Sequence, residues 1–292
     1  MEFRTVEAAR GPLPANCVFA GDNAFIRSWE VLRFAQDGAP VAAFRRTRRS
    51  LVHSLRHNST TVVICFTIAA MPRLPFITFE GSEGCGKSTQ VQLLAERLKQ
   101  SGIPLLVTRE PGGTPIGEAI KNLLQFAPHG SGMTPETELL LFEASRSQLV
   151  RETIRPALER GVCVISDRFF DSTTVYQGVA RKLDTRMVGQ LNAFAVGDCV
   201  LDMTFLLDLD AANARERMLR RVRPATPPDR MEQEPTEFYE RVREAYRQLA
   251  CQEAKRIHLI DGAQAADEIA DKIWEILSEC FPEFALKKKL EI

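Results

Sequence analysis

An α/β fold built on a mostly parallel sheet is predicted by three features of this chain. Strand-length apolar runs recur from residue 75 onward, at 75–79, 104–108, 162–166, 203–208 and 257–260. Helical periodicity fills the gaps between them. Polar connections, several rich in glycine, follow the carboxyl ends of the runs. Strands alternating with helices join as crossover units, so the runs predict a five-stranded parallel sheet flanked by helices on both faces. Ligands of such sheets bind beyond the carboxyl ends of the strands.

The first run, Phe76-Ile77-Thr78-Phe79-Glu80, leads into Gly81-Ser82-Glu83-Gly84-Cys85-Gly86-Lys87-Ser88. This is G-x-x-x-x-G-K-S between a strand and a helix, the phosphate-cradling P-loop. Gly81 and Gly86 let consecutive N–H groups turn around an anion. Lys87 brings a cation to the β- and γ-phosphates, and the Ser88 hydroxyl can ligate Mg²⁺. The helix over 87–101 carries Val91, Leu94, Ala95 and Leu98 on one face and aims its positive dipole end at the same phosphates. Cys85 sits where any small residue fits.

The second strand delivers Thr108-Arg109-Glu110-Pro111-Gly112-Gly113-Thr114, a tight turn whose Arg and Glu suit a phosphate or a metal. Helices follow over 115–126 and 135–159. The longer one places Phe142 and Arg146 four residues apart on one face. An aromatic plate beside a planar donor suits a nucleobase, although a core Phe beside a surface Arg has the same spacing. The third strand ends in Asp167-Arg168. Asp there can orient Mg²⁺ or its waters, and Arg can clamp a phosphate. Asp171 to Gly178 reads as a polar loop. Helices over 185–196, 211–221, 235–255 and 264–280 complete the pattern. Between Arg215 and Arg230 lie Arg217, Arg220, Arg221 and Arg223, interrupted by Pro224, Pro227 and Pro228. A basic helix end and a proline-broken loop predict a mobile lid over phosphates; a solvated basic face is the competing reading.

Composition bounds the partners. Lys and Arg balance Asp and Glu at 38 each, which argues against nucleic-acid binding by bulk charge. The seven cysteines form no C-x-x-C pair, so a reducing cytoplasm is expected and a disulfide framework is not. The apolar run 61–70 is too short for a membrane-spanning helix. Residues 1–70 show turn signals, a basic cluster at 45–49 and no sustained period. They read as an extension that is disordered or lies outside the functional protein, with Met71 starting a catalytic domain over 71–292. Glu2, Glu7, Asp22, Glu30 and Asp37 make a transit peptide the weaker reading.

Taken in order, these motifs closely resemble the thymidylate kinase family: E-G-x-E-G-x-G-K-S at 80–88, T-R-E-P-G-G-T at 108–114, L-F-x-A-x-R at 141–146, D-R-x-x-x-S-T-x-x-Y-Q-G at 167–178 and D-R-M-E at 229–232. The resemblance implies transfer of the γ-phosphoryl group of ATP to dTMP, with Mg²⁺, in a homodimer without nucleic-acid or membrane partners. Gly81, Ser82, Glu83, Gly84, Cys85, Gly86, Lys87, Ser88 and Thr89 would hold ATP. Ser88, Glu110 and Asp167 would lie at the metal. Glu83 would also contact the acceptor sugar, with Tyr176 against it. Phe142 would stack on thymine, Arg146 would donate to its O4, and Thr173 and Gln177 would complete the base pocket. Arg109, Lys121 and Arg168 would grip the acceptor phosphate. One subtype of the family has a basic residue after the P-loop acid. Gly84 stands there in this chain, so the resemblance assigns the catalytic cation to the lid, at Arg220, Arg221 and Arg223, beside Lys87, Asp167 and Arg168. Phe169, Val175 and Lys182 depart from the family's usual Tyr, Ala and Gly. The alternatives are a kinase for another nucleoside monophosphate, or a non-catalytic P-loop protein that binds nucleotide.

Overall fold

The computed structural model describes residues 8–9, 26–34, 50–57, 60–68, 73–126, 132–220, 230–231, 233–282 and 284. The chain divides into two units, Met1–Arg73 and Leu74–Ile292. Met71, the basic cluster at 45–49, Arg221 and Arg223 lie outside the described residues.

In the first unit, β1 (Ala8–Ala9), β2 (Ile26–Phe34), β3 (Ser50–His57) and β4 (Thr60–Ile68) form an antiparallel sheet in the order β1-β2-β4-β3. The apolar run 61–70 lies largely in β4, paired on both sides, with Val31 opposite Ile64 and Leu51 opposite Phe66. Antiparallel strands owe much of their stability to cross-strand partners, which a local period does not reveal.

The second unit carries β5 (Phe76–Glu80), β6 (Leu105–Arg109), β7 (Cys163–Asp167), β8 (Met203–Asp208) and β9 (Ile257–Asp261). They form one parallel sheet in the order β6-β7-β5-β8-β9. Each predicted strand is present, displaced by at most one residue at either end. Alternation sorts the side chains. Ile77, Phe79, Ile165, Phe205 and Leu207 pack on one face with Val91, Leu94 and Leu98 of α1 (Lys87–Gln100) and with Ile269, Ile273 and Leu277 of α9 (Ala266–Cys280). Phe76 and Val164 point to the opposite face, where Leu149, Val150 and Ile154 pack. On that same face Leu206 meets Phe238, Val242 and Tyr246 of α8 (Thr236–Gln252).

Helices α2 (Pro115–Phe126), α3 (Pro135–Leu149), α6 (Thr185–Val196) and α7 (Ala211–Arg220) follow the sequence expectation closely. Thr134 caps α3 by accepting from the Thr137 N–H. The single helix expected over 135–159 is continuous but changes pitch. A π-helical stretch, Val150–Ile154, links α3 to α4 (Arg155–Glu159) just before Pro156, which has no N–H to keep the α register. The polar loop expected at 171–178 is instead helical, as α5 (Phe170–Thr173) and a π-helical stretch, Thr174–Ala180. Its hydroxyls and amide face buried partners, so polarity there does not mark exposure. No helix among the described residues is long and apolar enough to cross a membrane.

Candidate active site

Backbone geometry shapes the loop between β5 and α1. Gly81 and Gly84 have φ of 133° and 78°. A Cβ on Gly81 would lie 2.5 Å from the Leu207 carbonyl oxygen, and one on Gly84 2.4 Å from that of Ala214. The second contact leaves no room for a basic side chain after Glu83, because α7 crosses the loop there. Lys87 is buried, and its Nζ donates to the carbonyls of Gly81 at 3.1 Å and Ser82 at 2.7 Å. Ser88 Oγ donates to Asp167 Oδ2 at 2.7 Å, joining the first turn of α1 to the end of β7. The register sets Asp167 between Phe79 and Arg109, so three motif-bearing strands end together.

Arg168 and Lys182 are the non-glycine residues with positive φ among those described, at 72° and 61°. The second value is a left-handed backbone that glycine adopts without strain. At Arg168 the left-handed turn brings the guanidinium back over the loop. Nη1 donates to Gly81 O and Ser172 Oγ, both at 3.0 Å, and Nη2 to Glu83 Oε1 at 2.5 Å. Fully buried Glu80 holds this turn. It accepts from the Phe169 N–H at 2.7 Å, Ser172 Oγ at 2.6 Å and Tyr246 OH at 2.7 Å. Burial, with the charge of Asp171, raises the Glu80 pKa. Burial works against the Arg168 charge, but Tyr176 and Glu83 outweigh it and the guanidinium stays ionised.

Two clefts meet at this arginine. One has apolar walls from Phe142, Tyr176, Pro111, Leu124 and Met231, with Thr173, Gln177 and Arg230 among its polar groups. The other is lined by Gly84, Gly86, Lys87, Ser88, Arg109, Lys121 and Asp167. Glu83, Glu110 and Arg168 line both. Thr89 and Cys85 border a further cleft with Arg217, and Ser82 borders another with Arg215.

Arg146 lies apart from these clefts. It is 1% exposed, and all five of its N–H groups are engaged. Nε and Nη2 donate to Glu110 Oε2 at 2.9 and 2.7 Å. Nη1 donates to Glu143 Oε1 at 2.8 Å and Asn192 Oδ1 at 2.9 Å, and Nη2 also to Thr173 Oγ1 at 2.9 Å. The helical spacing with Phe142 was legible, but the two acids that draw the guanidinium inward were not recognised as its partners. Burial pushes Glu110 up to about 7 although Arg146 pulls the other way. Its second oxygen, Oε1, is buried without a partner among the described residues.

Several supporting residues escaped the sequence reading. Glu118 accepts from Arg109 Nη2 at 2.8 Å and the Gly113 N–H at 2.9 Å, with Lys121 Nζ 3.8 Å away. Buried Glu138 gathers Gln177, Arg181 and Arg230. In sequence Glu138 resembles an ordinary solvated helix charge; its burial is a tertiary fact. Arg220, at the end of α7, is exposed and pairs with Glu216. The helix face nearest the P-loop instead carries Ala214 and Met218, with Arg215 and Arg217 to either side.

Comparison with known proteins agrees with this architecture. The family model for thymidylate kinase matches residues 79–273. A thymidylate kinase of Afipia carboxidovorans is 46% identical over 202 residues, covering 69% of this chain and 88% of the relative. One from Thermomicrobium roseum is 46% identical over 204 residues, covering 70% and 94%. The crystal structure of the Ehrlichia chaffeensis thymidylate kinase superposes with a TM-score of 0.57 at 35% identity, covering 71% of this chain and 99% of that one. With a P-loop, an Asp-Arg strand end and an apolar cleft at the carboxyl ends of one parallel sheet, this chain belongs to the thymidylate kinase family.

Proposed function

We propose that the two joined clefts carry ATP and dTMP, and that the chain transfers the γ-phosphoryl group of ATP to dTMP to give dTDP. Phosphorylation of dTMP follows from membership of the family. The observation that carries the residue roles is the shared lining of Glu83, Glu110 and Arg168, which sets an apolar pocket directly beside the P-loop.

Phosphoryl transfer depends on alignment and charge neutralisation more than on covalent chemistry. Gly81, Ser82, Gly84, Cys85, Gly86 and Thr89 offer the backbone and helix start that hold the ATP phosphates. Lys87 exchanges its two carbonyl partners for phosphate oxygens. Arg168 reaches the transferring group from the acceptor side, and Arg109 and Lys121 hold the dTMP phosphate. Phe142 stacks on the base, Tyr176 and Glu83 meet the sugar, and Thr173 and Gln177, with Arg146 behind them, complete the base pocket. Arg220, Arg221 and Arg223 supply lid charge, and Arg215 and Arg217 flank the P-loop in addition.

Ser88, Asp167 and Glu110 suit Mg²⁺. All three offer oxygen donors, two already meet at 2.7 Å, and Glu110 has an unpartnered buried oxygen. Mg²⁺ bound there would neutralise phosphate charge. The chain is read as cytoplasmic and homodimeric. Exposed Leu140 on α3 and Met187 and Phe194 on α6 support the dimer, since large apolar side chains gathered at a surface favour association.

Incubation with ATP, Mg²⁺ and dTMP should yield dTDP. Absence of dTDP with retained ATP binding would point to the non-catalytic reading, and faster conversion of another monophosphate to the second kinase reading.

A further inference from the structure

Thr173 and Gln177, four residues apart on one helical turn, line the acceptor pocket. Each is bonded to a buried charge that does not line it. An arginine only donates. Arg146 therefore uses the Thr173 oxygen as an acceptor, and the Thr173 O–H hydrogen is left for the pocket. Glu138 is 1% exposed and accepts from Gln177 Nε2 at 2.6 Å. Burial opposes its charge, but the Gln177 hydrogen bond and the charges of Arg181 and Arg230 outweigh burial and hold its pKa below the ordinary value. An ionised carboxylate only accepts, so Gln177 must turn its NH₂ toward Glu138. Its Oε1 then remains as an acceptor for the pocket, and no described residue donates to it.

We propose that Glu138 is a positioning residue for base choice. With Arg146 it sets the polarity of the pocket, so that a donor at Thr173 stands beside an acceptor at Gln177. This pair complements the O4 acceptor and N3–H donor of a thymine or uracil ring. It opposes the N4 amine and N3 acceptor of cytosine. The inference rests on the dTMP kinase reading and assigns part of its base selectivity to Glu138, a buried charge that does not line the pocket.

The test compares kcat/KM for dTMP and dCMP in the full-length wild type and in Glu138→Gln. The amide can donate as well as accept, so Gln177 is released to turn over. The dTMP to dCMP ratio should fall about tenfold, chiefly through the monophosphate KM, while the ATP KM holds. Glu138→Asp should recover most of the ratio. A fall of more than about threefold supports the proposal. A smaller change, whatever the loss of absolute rate, overturns it and leaves Glu138 as a structural anchor for Arg181 and Arg230. If circular dichroism shows Glu138→Gln unfolded, Gln177→Met takes its place, with the same threshold. A wild type that does not prefer dTMP to dCMP would instead defeat the reading beneath.

Discussion

Lys87 shows how a single side chain can be both structural and chemical. Its ammonium is bonded to two loop carbonyls at 2.7 and 3.1 Å, so the cation is in place before any phosphate arrives. Preorganised charge of this kind stabilises the transferring phosphoryl group without reorganisation. Lys87→Ala is expected to lower turnover by about two to three orders of magnitude while the fold persists. Turnover above about a tenth of wild type in a folded variant would remove Lys87 from the reaction. Arg146 is the opposite case. Its type and its spacing from Phe142 suit a base contact, and within the protein its N–H groups are held by Glu110, Glu143, Asn192 and Thr173. An arginine in sequence shows its donors; which acceptors claim them depends on elements far along the chain.

At the scale of elements, Glu138 ties three segments together. It lies in the first turn of α3, reaches Gln177 and Arg181 at the second π-helical stretch, and pairs with Arg230. Arg181 continues the link to Glu234 at 2.6 Å. Because the folded pKa of Glu138 is below its ordinary value of 4.5, its ionic partners stabilise the fold fully above about pH 4.5. That stabilisation is lost as pH falls through the folded value. The difference in stability between wild type and Glu138→Gln should therefore be constant from about pH 5 to 7 and shrink below about pH 4.5. Thermal unfolding followed by circular dichroism measures it. A difference that persists unchanged into acid would show that the carboxylate's charge does not hold these elements.

The whole chain consists of two units that divide between Arg73 and Leu74. The second unit contains the complete parallel sheet and every described residue assigned to the site. A chain beginning at Met71 is thus expected to fold, to keep dTMP kinase activity within about twofold and to sediment as a dimer. Its melting temperature should shift by no more than about 3 °C, because the second unit carries its own sheet and hydrophobic core. An insoluble or inactive product would show that residues 1–70 complete the site or its packing. A monomeric product with full activity would remove the dimer from the proposal.

What the sequence determined by itself was the sheet, the helices, the P-loop and the family, because each is written in local features: buried runs, a 3.6-residue period and motifs whose spacing the backbone imposes. The order β6-β7-β5-β8-β9 and the helical state of 170–180 emerged only on folding. So did the pairing of β2 with β1 and with β4, whose residues are remote from one another in the chain. The tertiary structure also decided which charges are buried. Nothing local in the sequence shows that Glu80, Glu110, Glu138 and Arg146 are buried, yet each is nearly sealed from water. Burial makes an ionised group bind its partners strongly, since no solvent competes for them. The polarity of the pocket follows from those partners, and only the folded chain brings them together.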